Sequence, residues 1–117
     1  MRSLSHSEKR VATTLADALP DQQRASVKAD LAKSLVEDVV GDGSRLVFVI
    51  DGYERPAYRG QHAFPIEGTM MDSDKSVLHV ALYADENDRL LEMEIVRWAG
   101  GRVLAPEWSS FRLEIEM

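Results

Sequence analysis

The feature that most limits what this chain can fold into is a change of hydrophobic period near residue 35. Ahead of it, Val11, Ala12, Leu15 and Leu19 recur at helical spacing, and Ala25, Val27, Leu31 and Ala32 form a shorter stripe. Beyond it the apolar positions alternate. Leu91, Met93 and Ile95 are interleaved with Glu92 and Glu94, and Phe111, Leu113 and Ile115 with Arg112, Glu114 and Glu116. Such helices carry one apolar stripe and such strands one apolar face, so each needs the other as cover. The expected fold is α+β: two N-terminal helices packed on one face of a five- or six-stranded antiparallel meander sheet, as a single domain over residues 1–117. In this reading the Glu92/Glu94 face of its strand lies in water.

Local chemistry sets the boundaries. Ser5-His6-Ser7-Glu8 has the form of a capping box, with Leu4 as a staple ahead of it. Pro20 stops the first helix, and Asp21 is expected to cap the second. Residues 35–40 read as a strand and Gly41-Asp42-Gly43 as a hairpin connection. Residues 46–50, apolar on both faces, read as a central strand. A strand at 62–71 places Phe64, Ile66, Gly68 and Met70 on one face, and Pro65 within it points to an edge or a bulge. Asp72-Ser73-Asp74 and Asp85-Glu86-Asn87-Asp88 are turns on either side of a strand at 77–83.

Charge narrows the range of partners. The net charge is −6, with +2 over residues 1–34 and −8 over residues 35–117. A surface of that sign repels nucleic acid, whose binding depends on cations at phosphates, and attracts a basic protein. The chain has no cysteine, which excludes disulfides, thiolate catalysis and cysteine-ligated zinc and suits a cytoplasmic location. The longest aliphatic or aromatic run, residues 46–50, is far short of the roughly 20 residues that span a bilayer. No secretory signal is visible at the N-terminus, so neither membrane insertion nor export is expected.

The motifs of catalysis are missing. His6, His62 and His79 have no metal-ligand spacing between them, no serine sits in a nucleophile elbow, and the glycines lack a phosphate-binding pattern. Asp72/Asp74 and Asp85/Glu86/Asp88 supply hard oxygens, but at positions where turns want Asp for backbone reasons. Glu92 and Glu94 resemble a general acid–base pair without a pocket to separate their pKa values. The expectation is therefore no enzyme, no metal and no cofactor. The ten-residue loop after residue 50 carries Tyr53, Arg55, Tyr58 and Arg59, residue types enriched in interface anchors. Partner binding is accordingly expected from Asp72, Asp74, Asp85, Glu86, Asp88, Glu92 and Glu94, with Tyr53, Arg55 and Tyr58 as a secondary surface. Uncovered strand edges leave room for a homodimer.

Leu4…Glu8-Lys9, Gly43-Ser44-Arg45-Leu46-Val47-Phe48 and the stretch from Asp72 through Leu90-Leu91-Glu92-Met93-Glu94-Ile95 to Trp98 resemble a family of small bacterial α+β domains with no assigned activity. The segment from Pro106-Glu107-Trp108 to Met117 departs from that pattern. Size, acidity and layout are also similar, as a class, to immunity proteins of contact-dependent inhibition and other polymorphic toxin systems. That resemblance implies a cytoplasmic protein that clasps a cognate toxin, often a basic nuclease or tRNase, and occludes its cleft with carboxylates that imitate phosphates. The other reading is an adaptor or regulatory domain for a different protein.

Overall fold

The structure, a computed structural model, describes residues 1–57 and 60–114. Helix α1 spans His6–Asp17 and opens on the expected capping box. The Glu8 amide donates to Ser5 Oγ at 3.1 Å, and the Ser5 amide donates to Glu8 Oε1 at 2.8 Å. Arg2 grips both oxygens of Glu8, at 2.7 and 2.9 Å, so the cap also ties down the N-terminal segment.

Helix α2 spans Asp21–Ala32 and begins differently from expectation. Pro20 is its N-cap, with no side-chain hydrogen bond, and Asp21 is the first helical residue. The proline enters with extended backbone, and Asp21 serves the helix by its charge at the positive end of the dipole and by its 2.5 Å pair with Arg24.

Six strands follow: β1 Ser34–Asp38, β2 Arg45–Ile50, β3 His62–Met71, β4 Val77–Ala84, β5 Leu90–Arg97 and β6 Glu107–Glu114. They form one antiparallel sheet in the order β1-β2-β5-β4-β3-β6. The fold class is the expected one, two helices on an antiparallel sheet, but the strand order is not that of a sequential meander. Two strands separate β3 from β2 in the sheet order, so the β3–β4–β5 unit runs back and seats β5 beside β2. That gives β2, with its apolar run, a neighbour on each side. Pro65 is accommodated by a register shift between Ala63 and Glu67, so the bulge reading holds; β3 is an interior strand, yet among the described residues its pairing with β6 begins only at Glu67, beyond Pro65.

The core lies between the helices and one face of the sheet. Val11, Leu15, Val27 and Leu31 meet Leu46, Phe48, Leu78, Val80, Leu82, Met93 and Ile95, all buried. At Gly68, opposite Leu113, an added β-carbon would sit 2.5 Å from the Phe111 ring and 2.7 Å from the Arg112 carbonyl oxygen. Only a residue without a side chain lets β6 lay its ring there. Among the described residues, no helix covers the other face of the sheet.

Candidate functional site: acidic turns and the open face

Each acidic turn points its first aspartate, Asp72 or Asp85, inward. Asp72, at the end of β3, is fully buried. Its Oδ1 accepts from the amides of Ser73 and Ala105 (2.9 and 2.8 Å), and its Oδ2 from the Leu104 amide and Arg97 (2.9 and 3.1 Å). Burial pushes its pKa upward more than any other single influence. The amides of Leu104, Ala105 and Ser73, with Arg97, together outweigh burial and hold the carboxyl below the usual range. Asp74 meets the same arginine in a bidentate pair at 2.8 and 2.7 Å, and that pair is the main cause of its lowered pKa.

Asp85 repeats the design at the far end of β4. Its Oδ2 accepts from Tyr53 Oη (2.6 Å) and Arg55 (2.8 Å), and its Oδ1 from the amides of Asn87 and Arg89 (2.8 and 3.0 Å). Desolvation again acts upward on its pKa and is outweighed by these donors, Tyr53 first, so the carboxyl is held low. Arg55 also donates to the carbonyls of Phe48 and Leu90, at 2.6 and 3.0 Å. Arg89 lies over the Tyr53 ring at 4.2 Å and binds the buried Asp30 at 2.7–3.2 Å. Tyr53 and Arg55 are therefore brackets that pin the 51–57 segment to the sheet. Tyr58 lies outside the described residues.

The expected binding residues do not form one surface. Asp72 and Asp74 sit at one end of β4 and Asp85, Glu86 and Asp88 at the other, about 26 Å apart along an eight-residue strand. Glu86 and Asp88 are exposed, and Asp88 pairs with His62 at 2.9 Å. The expectation of a water-facing acidic strand fails at Glu92, which is 0 % exposed. On the helix-free side it stands between Val47 of β2 and Tyr83 of β4, and Arg45 binds its Oε2. Alternation named its face correctly but not the cover its neighbours supply. Its Oε1 has no hydrogen-bond partner among the described residues, a buried acceptor left costly. Glu94, across from Arg45, is half-buried.

The helix-free face has a second character that charge counting does not reveal. Leu35 and Val49 are cross-strand neighbours at one corner, and Met71, Val77, Val96 and Trp98 gather at the opposite corner. All six are exposed, Trp98 by 68 %. The face continues into a shallow groove of about 390 Å³ lined by Val40, Ser44, Arg45, Glu94 and Val96. By contrast, the cleft beside Arg55, Asp85 and Leu91 holds only about 90 Å³, small against the few hundred Å³ of a ligand pocket.

The same face brings together residues that are far apart in the chain. His79 Nε2 lies 3.0 Å from Glu67 Oε2, and the ligand atoms of Glu67, His79 and Glu114 all fall within 4.8 Å of one another. Nothing in their spacing announces this, because strand pairing alone makes them neighbours. His79 also stacks beside Trp98, with ring centroids 6.4 Å apart. No helix is long and apolar enough to cross a membrane among the described residues.

Over residues 1–105 the chain matches the domain of unknown function DUF6984. It belongs to that family. The match takes in both helices and β1 to β5 and ends before β6, which begins at Glu107. No curated protein and no solved structure matches the chain. The expected membership of a family without assigned activity thus stands, and the match says nothing about a partner.

Proposed function

We propose that this domain works by binding another protein through the helix-free face of its sheet, and that the partner is a basic toxin domain whose cleft it covers, as an immunity protein does. The supporting observation is the exposure of six large apolar side chains on the one face that no helix covers, interleaved with Arg45, Glu94 and Glu67. Exposed apolar side chains rimmed by charge mark interaction surfaces, because their desolvation supplies affinity while the rim sets orientation. The overall charge of −6 accelerates the approach of a cationic partner. Tight inhibition then comes from the apolar anchors, Trp98 foremost.

A second reading, an adaptor or regulatory domain for another protein, is favoured by the state of the turns. Asp72 and Asp74 share the domain's own Arg97 and Asp85 is paired with Arg55, which weakens the field with which they could imitate phosphates. Both readings use the same face.

Co-expression with the product of the neighbouring gene, followed by co-purification, tests the surface. The expected result is a stable complex that Val96→Asp and Trp98→Asp each abolish, whereas Glu86→Ala and Asp88→Ala leave it intact. A complex indifferent to the two apolar-to-Asp changes overturns the assignment of the face. Protection of cells from that gene product separates an immunity protein from an adaptor.

A further inference from the structure

We propose that Glu67, His79 and Glu114 form a binding site for a divalent transition-metal ion on the helix-free face. Two independent features of the sheet converge on this point. The first is register. Glu67 of β3 and Glu114 of β6 are direct cross-strand partners, so two carboxylates project side by side from one face. Like charges in that position repel and weaken the pairing unless something cationic lies between them. The second is the imidazole. His79 of β4 is opposite Thr69, two residues along β4 from Glu67's own partner Ala81, and leans back until Nε2 is 3.0 Å from Glu67 Oε2. All three ligand atoms lie within 4.8 Å of one another. Atoms that each lie about 2.0–2.2 Å from one ion are at most about 4.4 Å apart, so a small movement of the exposed Glu114 carboxylate is all that binding by the three requires.

The surroundings suit the purpose. Ala81, the β4 residue paired with Glu67, has no side chain long enough to fill the space beside the carboxylate. Glu67 and His79 are half-buried, which limits their freedom before any ion arrives, while Glu114 is exposed and free to close. One imidazole and two carboxylates favour zinc or manganese over calcium, which takes six to eight oxygens. Three ligands from the protein leave at least one position on the ion for water or for a donor from a bound molecule. Trp98, stacked beside His79, makes the site optically addressable. The other tryptophan, Trp108, packs against the core, where its carbonyl accepts from Arg10 of α1, so the two indoles report from different sides of the sheet.

The experiment is titration of the EDTA-treated full chain with ZnCl2 and MnCl2 by calorimetry, with CuCl2 quenching of tryptophan fluorescence as the locating measurement. The expected result is one ion per chain and quenching that disappears in Trp98→Phe but persists in Trp108→Phe. Glu67→Gln and His79→Gln are each expected to weaken the ion at least as much as the roughly 10- to 100-fold that loss of an outer-shell partner costs. Glu114→Gln, at an exposed position that cannot threaten folding, is expected to weaken it by about tenfold or more. Circular dichroism establishes that each variant is folded. The proposal is overturned by the absence of saturable binding, by unchanged binding in Glu114→Gln together with Glu67→Gln, or by quenching that follows Trp108.

Discussion

On the helix side of the sheet, Phe48, Leu82 and Met93 are buried in the apolar core under α1 and α2. On the other side, one residue along each strand, Val49, Tyr83 and Glu94 are half-buried or exposed, and apolar, acidic and basic side chains stand next to one another. Both sides belong to the same strands, so backbone pairing cannot account for the contrast. The difference is in how the surface is completed. The helix side is finished within the chain, and the other side has shape and chemistry that the chain does not use up.

The sharpest way to break that comparison is to truncate adjacent residues of β2. Phe48→Ala is expected to lose about 3–5 kcal/mol of stability, the cost of a cavity in a packed core. Val49→Ala, one residue away, is expected to stay within about 0.5 kcal/mol, as exposed positions do. Urea denaturation of the two variants measures both values, and a large loss at Val49 would mean that the helix-free face is already sealed.

Next comes Asp72, which joins the sheet to the 103–105 segment. Asp72→Ala leaves the amides of Leu104 and Ala105 without their acceptor and is expected to cost about 3 kcal/mol, the lower end for breaking a buried pair. The pH dependence has a definite sign. The folded-state pKa values of Asp72 and Asp85 lie below those of unfolded aspartate, near 3.9, so the unfolded chain binds more protons in between. Their stabilisation is fully present above about pH 5 and is lost as pH falls through 4 towards the folded-state values. Stability measured from pH 7 down to pH 3 should fall less steeply in Asp72→Ala than in the parent chain.

A smaller effect than at Asp72 is expected at Glu92, a closed position on the open side. Glu92→Gln weakens a charge-assisted bond to a half-exposed arginine and should cost about 1 kcal/mol by denaturant titration. A loss several times larger would place Glu92 with the core side of the comparison.

The parts of this architecture that were legible in the sequence are those decided by neighbours in the chain. The capping box at Ser5 and Glu8, the bulge at Pro65 and the aspartate turns at Asp72 and Asp85 each depend on a few consecutive residues, and each is where local chemistry put it. The second helix start was misread because Pro20 and Asp21 both suit a first turn, and only the backbone shows which of them is the cap. Strand order was illegible, since period 2 says which face a residue takes and nothing about which strand lies alongside. The acidic residues show the cost of that gap. Asp85 reads as a surface charge until Tyr53 and Arg55, some thirty positions earlier, are brought to it. Glu67, His79 and Glu114 are unconnected until β3, β4 and β6 are laid side by side.

The notch at Gly68 decides more than whether one aromatic ring fits. Sliding β6 by two residues in either direction would drive Phe111 onto Ile66 or Met70, both already buried, so the strand has a single parking place along β3. A missing methyl group therefore acts as an alignment pin, and it is this pin that brings Glu114 level with Glu67.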